Sequence, residues 1–241
     1  HISSKVTQHQ SELMKKGLPK KFPIDGVKSV VVVASGKGGV GKSTTAVNLA
    51  VCLAVNGKNV GILDADVFGP SIPLMMNLKE QPLVDDKNLI IPPINYGVKC
   101  LSMGLLVEMG PIVWRGPLVM SALQKLIRGT KWGPLDVLIV DTPPGTGDVH
   151  LSLIQNIPIT GVLLVSTPQI AALDITLRGA EMYKKTGTPL IGLVENMKHV
   201  ICHNCGSQVN LHENVTEKYL SKFETDVLVS IPVEVNVSSS C

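Results

Sequence analysis

Lys42 and Ser43 close a run, Gly36-Lys37-Gly38-Gly39-Val40-Gly41-Lys42-Ser43-Thr44, that satisfies G-x-x-x-x-G-K-[ST]. In such a loop the glycines let successive backbone N–H groups turn toward phosphate oxygens, while the lysine reaches the β and γ oxygens. The Ser43 hydroxyl is the expected ligand for the Mg²⁺ that accompanies a nucleoside triphosphate. Two further places carry carboxylates next to apolar runs. Asp64-Ala65-Asp66 follows Val60 to Leu63, and Asp141 follows Val137 to Val140. An apolar strand ending in an aspartate is the Walker B pattern, so Asp141 is expected to hold Mg²⁺ through water. Asp64 and Asp66 are expected near the Mg²⁺ hydration shell and the attacking water. After Asp141, the stretch Thr142-Pro143-Pro144-Gly145-Thr146-Gly147-Asp148 offers Gly145, whose N–H is expected free to meet a γ-phosphate and whose loop could switch on hydrolysis.

A separate chemistry lies at Cys202-His203-Asn204-Cys205. The pair admits three readings. A redox dithiol belongs at the start of a helix in a thioredoxin-like unit. A zinc site needs four ligands, which His199, His203 or His212 could complete within one chain. The third reading is half a site: two thiolates per chain, brought by a twofold axis to the four that a [4Fe–4S] cluster requires. Cys52, Cys100 and Cys241 are scattered singly and make no disulfide scaffold.

These residues need elements that bring them to one edge. β-branched, strand-length segments recur at Val30 to Ala34, Val60 to Leu63, Val98 to Leu101, Val137 to Val140, Gly161 to Val165, Leu190 to Val194 and Val227 to Ile231. Helix-length stretches lie between several of them: Thr44 to Val55, expected to be buried, Leu118 to Arg128, and Ala171 to Lys185. This alternation predicts an α/β fold, a mostly parallel sheet covered by helices on both faces. Ligands of such sheets sit beyond the carboxyl ends of the strands, where the phosphate loop and both aspartate loops lie. Pro82 to Tyr96 is proline-rich and reads as an inserted loop or hairpin.

Of the 241 residues, 44% are hydrophobic and 17% charged, a globular composition that fits one large core. A net charge of +3 with 3% aromatic residues gives little for nucleic acid to grip or stack on. No apolar run reaches the roughly 18 residues of a membrane-spanning helix, so stable membrane insertion is not expected. Residues 1–26, with Lys5, Lys15, Lys16, Lys20 and Lys21, read as a basic arm, either the tail of a presequence or a solvated extension. Residues 27–237 form the expected single ATPase domain, and residues 238–241 a short tail.

Taken together, Lys37 to Thr44, Asp64-Ala65-Asp66-Val67-Phe68-Gly69-Pro70-Ser71, Trp114-Arg115-Gly116-Pro117, Asp141 to Asp148, Glu195-Asn196-Met197 and Cys202-x-x-Cys205 resemble the Mrp/NBP family of deviant Walker A P-loop ATPases, of SIMIBI type. Gly17-Leu18-Pro19, Met75-Met76-Asn77-Leu78 and Asn95-Tyr96-Gly97 resemble its mitochondrial members most. The resemblance implies an ATP-binding homodimer that carries a [4Fe–4S] cluster in the mitochondrial matrix, slow regulatory ATP hydrolysis, and apo iron–sulfur proteins of respiratory complex I as clients. It also implies roles for single residues. Lys37 would cross the dimer interface to the partner's nucleotide, Asp66 would serve hydrolysis, Asn196 would contact adenine, and Cys202 with Cys205 would ligate the cluster.

The chain departs from the family pattern after Asn210, where Leu211-His212-Glu213-Asn214-Val215 replaces a glycine-rich stretch. It departs again beyond Ile231-Pro232, where the family continues into a closing helix. A shortened C-terminus, exposed apolar surface and an incomplete adenine pocket are the expectations. The alternatives are a MinD- or ParA-like dimerisation switch on membrane or DNA, a zinc-binding P-loop ATPase, and a metabolic P-loop kinase. The C-terminus offers no basic amphipathic helix for the switch. No acceptor pocket for the kinase is legible.

Overall fold

In a computed structural model, the chain is described over residues 21–67, 69–107, 116–202, 204–212 and 216–234. Trp114, Arg115, His203, most of the basic arm and the tail lie outside the described residues. Twelve strands and seven helices occur among the described residues. The sheet strands that matter most are β1 (Val27–Ala34), β2 (Val60–Asp64), β6 (Val98–Ser102), β7 (Leu135–Asp141), β8 (Gly161–Ser166), β9 (Leu190–Glu195) and β12 (Val227–Ser230). With β5 (Ile94–Asn95) they form one eight-stranded sheet in the order β12-β9-β8-β1-β7-β2-β6-β5. Every pairing in it is parallel except β5 on β6. Short hairpins β3–β4 (Leu83–Val84 with Ile90–Ile91) and β10–β11 (His199–Ile201 with Gln208–Asn210) complete the strands. The expected loop at 82–96 is therefore the β3–β4 hairpin followed by β5.

The central strands read as continuous apolar runs because both of their faces are covered. Alternation along β1 divides them between two cores. Val30, Val32 and Ala34 join one cluster with Leu138, Val140, Leu164 and Leu193, while Val33 joins the other with Ile62, Ile139 and Val165. The helices are α1 (Lys42–Val55), α2 (Ile72–Met75), α3 (Gly104–Val107), α4 (Gly116–Arg128), α5 (Asp148–Asn156), α6 (Ile170–Lys185) and α7 (Thr216–Phe223). Leu123 and Leu126 of α4, Leu153 of α5, Leu173 and Tyr183 of α6 and Phe223 of α7 cover the first face. Ala46, Val47 and Ala50 of α1 cover the second together with Ile72 and Met76.

Two expectations are corrected and one helix is new. Helix α1, expected to be buried, buries only one side, since Asn48, Cys52 and Val55 are exposed, the last at 79%. With Leu228, Val229 and Ile191 it borders an apolar cavity of about 530 Å³. Helix α5, absent from the sequence reading, follows Gly147 and carries Asp148 in its first turn, where a carboxylate is favourable. The basic arm, expected over 1–26, gives way to domain contacts within its last residues. Ile24 is 5% exposed in the core, and Arg128 donates to the Phe22 and Pro23 carbonyls. Among the described residues no helix is long and apolar enough to cross a membrane.

Candidate functional site

The parallel sheet delivers three chain ends to one edge. β1, β2 and β7 are neighbours, with Val33 opposite Asp141 and Asp64 opposite Asp141. The loop after β1 is shaped by its glycines. Gly39 and Gly41 adopt φ of +77° and +85°, a left-handed conformation that side-chain-bearing residues avoid. Gly36 is glycine for another reason. A Cβ there would lie 2.3 Å from the Thr176 backbone nitrogen, so the loop's first residue rests directly on α6. Its N–H donates to the Thr176 hydroxyl at 3.3 Å. Gly38 and Val40 complete the cradle, with Val40 buried and Lys37 exposed on the outer side of the loop. Lys42 and Ser43 open α1, with Thr44 and Thr45 in its first turn, and the N-terminus of the helix favours an anion.

Lys42 and Ser43 converge on Asp141. The ammonium lies 2.7 Å from Oδ1 and the Ser43 hydroxyl donates to Oδ2 at 2.6 Å. Lys42 is 7% exposed and Asp141 fully buried. Burial pushes the Asp141 carboxyl upward, against the opposing pull of Lys42 and Ser43. A buried charge of this kind needs its partner to exist at all. A hydroxyl and a carboxylate held together form the hard-oxygen pair that suits Mg²⁺, so the residues fit a magnesium-bound nucleotide.

Asp64, expected near the Mg²⁺ hydration shell, accepts three hydrogen bonds within the protein. Its Oδ1 accepts the Asp66 N–H at 3.0 Å, and Oδ2 accepts the Ile72 N–H at 3.2 Å and the Ser102 hydroxyl at 2.9 Å. The carboxylate thus folds the loop that carries Asp66. Burial, then the nearby Asp141, raises its pKa to about 6. Asp66 is half-buried, and its carboxylate accepts from the Gly69 N–H at 3.2 Å.

The N–H of Gly145, expected free, donates to the Ser35 carbonyl at 2.8 Å. The glycine sits at φ +94°, and the bond ties the loop after β7 to the phosphate loop. A phosphate contact at this N–H requires that bond to open. His150 on α5, missed in the sequence, anchors the same loop from behind. A carbonyl only accepts, so Nε2–H donates to the Pro143 carbonyl at 2.9 Å and Nδ1 accepts the Tyr183 hydroxyl at 2.6 Å. Burial pushes this imidazole down to about 4, which keeps it neutral.

Asn196 lies just beyond β9. Its amide nitrogen donates to the Val40 carbonyl at 2.8 Å, and its oxygen accepts the Met197 N–H. With Gly41, Thr44, Asn48, Ile231 and Val233 it lines a cavity of about 600 Å³ beside the phosphate loop. That is the volume range of a small-molecule pocket, and it abuts the cradle where a base would follow its phosphates. Further along, Cys202 and Cys205 sit in the turn of the β10–β11 hairpin. The turn is closed by Cys202 N–H to the Ser207 carbonyl and Gly206 N–H to the Cys202 carbonyl. Cys205 is exposed, and the Ser207 hydroxyl, 3.0 Å away, and its backbone hold the thiol below its ordinary pKa. A lowered pKa raises the thiolate fraction that metals require. Among the described residues no group of three or more His, Cys, Asp or Glu gathers to hold a metal, and His203 of the zinc reading lies outside them.

Glu195 is the second residue whose role the sequence hid. It is 1% exposed, and its carboxylate accepts from Lys198 Nζ at 2.7 Å, the Ser230 hydroxyl at 2.8 Å and the Thr216 hydroxyl. The acidic residue was visible only as the residue before Asn196, where a strand end gives no hint of three converging donors.

Comparison with known proteins agrees with this geometry. The family model described as "ParA: NUBPL iron-transfer P-loop NTPase" matches residues 26–241. The iron–sulfur cluster transfer protein NUBPL of Mus musculus is 52% identical over 98% of this chain and 75% of its own length. The iron–sulfur protein required for NADH dehydrogenase, mitochondrial, of Arabidopsis thaliana is 54% identical over 78% of this chain and 61% of its own. Among solved structures, the nucleotide-binding protein of Archaeoglobus fulgidus in complex with ADP superposes with a TM-score of 0.77 at 34% identity, covering 90% of this chain and 86% of that one. A phosphate cradle on a mostly parallel sheet and identity of this extent leave one assignment: the chain belongs to the NUBPL iron-transfer P-loop NTPase family.

Proposed function

We propose that this protein is an ATP-dependent carrier of a [4Fe–4S] cluster, active as a homodimer in the mitochondrial matrix, with apo subunits of respiratory complex I as recipients. The cluster is cargo, held by Cys202 and Cys205 of each protomer. The observation that carries the reading is the cysteine turn itself: two thiols with no third protein ligand among the described residues, on a hairpin rooted beside the nucleotide cavity. Two thiolates leave a cluster half-coordinated, and a second copy supplies the remaining pair.

The nucleotide site works through the chain's own groups. Gly38 to Thr44 bind the phosphates, Ser43 and Asp141 hold Mg²⁺, and the metal, when bound, neutralises phosphate charge. Lys42 leaves Asp141 for the β and γ oxygens. Lys37, exposed on the loop, reaches the partner's nucleotide, where its charge favours the transition state. Asp66 orients the attacking water, and Asp64 holds Asp66 in place. Asn196 faces the base. Hydrolysis is slow and regulatory, since its product is a change of dimer state.

Anaerobic reconstitution with iron and sulfide tests the proposal. About four irons per dimer are expected, lost in the Cys202→Ser and Cys205→Ser variants. One tightly held zinc per monomer, with no cluster, would overturn it.

A further inference from the structure

The nucleotide cavity and the cysteine hairpin share one wall. Residues 231–233 line the cavity together with Gly41 and Thr44, and the same residues hold the root of the hairpin. Lys198 N–H donates to the Ile231 carbonyl at 3.0 Å, and Val233 N–H to the His199 carbonyl at 2.8 Å. On the other strand of the hairpin, Leu211 N–H donates to the Lys198 carbonyl at 3.0 Å. A ligand that presses on this wall therefore presses on groups bonded to the hairpin directly, with Cys202 only a few residues away.

Glu195 fixes the arrangement. Its backbone carbonyl accepts the Ile231 N–H at 2.8 Å, so it grips the wall at its start. Its buried carboxylate draws one donor from each of three segments: Lys198 at the hairpin root, Ser230 at the end of β12 and Thr216 at the start of α7. A buried carboxylate is stable only while such donors surround it, so the three segments are held in register by a single group. The next residue, Asn196, spends its side chain on the phosphate loop, bonding the Val40 carbonyl beside Gly41. Two adjacent residues thus join the phosphate loop, the cavity wall and the cysteine turn.

We propose that Glu195 is a positioning residue that makes the Cys202–Cys205 turn respond to nucleotide. A base entering the cavity displaces the 231–233 wall and competes for the Asn196 amide. The Glu195 carboxylate, through Lys198, passes that displacement to the hairpin root as a shift of the whole turn. Without the Glu195–Lys198 pair only the two backbone bonds link the wall to the hairpin root, and the turn follows the wall more weakly. This rests on reading the cavity as the base site of a nucleotide, but needs no cluster.

The test uses the full reduced chain under anaerobic conditions, with no iron present. Pulsed alkylation with iodoacetamide is read by peptide mass spectrometry at Cys202 and Cys205, with the exposed Cys52 on α1 as internal reference. Saturation by a fluorescent ATP analogue with Mg²⁺ is verified in each sample. In the wild-type chain nucleotide is expected to change the alkylation rate of the pair at least about fivefold in either direction, the lower bound of ordinary coupling between sites. Glu195→Gln and Lys198→Met are each expected to reduce the change to less than about twofold, and Lys198→Arg to restore it. A residue that only stabilised the hairpin would raise the rates with and without nucleotide alike, leaving their ratio intact. A wild-type ratio near one, a ratio preserved in Glu195→Gln and Lys198→Met, or failure of the wild type to bind the analogue would overturn the inference. If Glu195→Gln fails to fold, the Lys198 pair decides. Iron content plays no part, so a failed cluster reconstitution leaves this result standing, and the converse also holds.

Discussion

Gly41→Ala separates backbone strain from side-chain crowding within the phosphate loop. Gly41 sits at φ +85°, and a Cβ built there would lie 2.1 Å from Nδ2 of Asn196. An L-residue in the left-handed region costs about 1–2 kcal/mol. The methyl also evicts the Asn196 amide from the Val40 carbonyl, which forfeits a hydrogen bond of 2.8 Å and about 0.5–1.5 kcal/mol. The sum, about 1.5–3.5 kcal/mol, corresponds in a chain of this size to a fall in Tm of about 3–14 °C. Differential scanning calorimetry of the nucleotide-free protein measures it. Asn196→Ala alone removes only the bond and is expected to cost about 0.5–1.5 kcal/mol. The decisive variant is the double one. Once Gly41→Ala has broken the bond, losing the Asn196 side chain costs nothing further, so the double variant melts with Gly41→Ala. Gly39→Ala serves as control, since Gly39 is at φ +77° with nothing within 4 Å of where a Cβ would lie, and only strain remains. Additive losses in the double variant, or a Gly41→Ala loss no larger than that of Gly39→Ala, would refute the reasoning.

Two more outcomes follow from the buried carboxylates. Burial raises the pKa of Asp64 from 3.8 to about 6, so between those values the folded chain keeps a proton that the unfolded chain releases. Stability from this group is complete below pH 3.8 and is lost as pH rises through about 6, by about 3 kcal/mol at roughly 1.4 kcal/mol per tenfold change in proton concentration. Urea unfolding of wild type and Asp64→Asn is expected to show their difference moving about 3 kcal/mol toward the variant between roughly pH 4 and pH 7.5; a pH-independent difference contradicts it. Lys42→Met strands the Asp141 carboxylate without its partner and is expected to cost about 3–5 kcal/mol. Lys42→Met with Asp141→Asn recovers most of that loss in the same assay, whereas additive losses would show that the pair is not coupled.

The sheet was legible because its strands are β-branched runs buried on both faces, and the three functional loops because each follows such a run. Val30 to Ala34, Val60 to Leu63 and Val137 to Val140 each lie within a strand of the structure. Helix α5 was illegible for a physical reason: nine residues between a glycine-rich loop and Ile157-Pro158 give too few turns for a periodic signal, and its anchor is the tertiary contact of His150 with Tyr183. The partners of Asp64 and Gly145 were equally hidden. A sequence shows that a carboxylate or an N–H is present at a strand end, but Ser102 and Ser35 meet them only through sheet order. Glu195 is the extreme case, since its three donors come from 3, 21 and 35 residues away.

Those hidden contacts have a common consequence for how the nucleotide site operates. In this arrangement the groups expected to meet ATP are engaged with one another: Lys42 and Ser43 with Asp141, the Gly145 N–H with Ser35, the Asn196 amide with Val40. The Lys42–Asp141 bond satisfies two buried groups that would be costly to leave unpaired. Under the proposed function, nucleotide entry would exchange these internal bonds for bonds to the ligand, and part of the binding energy would go into opening them. The partners released are not equivalent. Asp141 is fixed at the end of β7 in the sheet centre, whereas Ser35, Val40 and Asn196 lie in loops between strands and helices. Such an exchange would move loops and leave the sheet still, and the segment beyond Asn196 is the one that leads through β10 to the two cysteines.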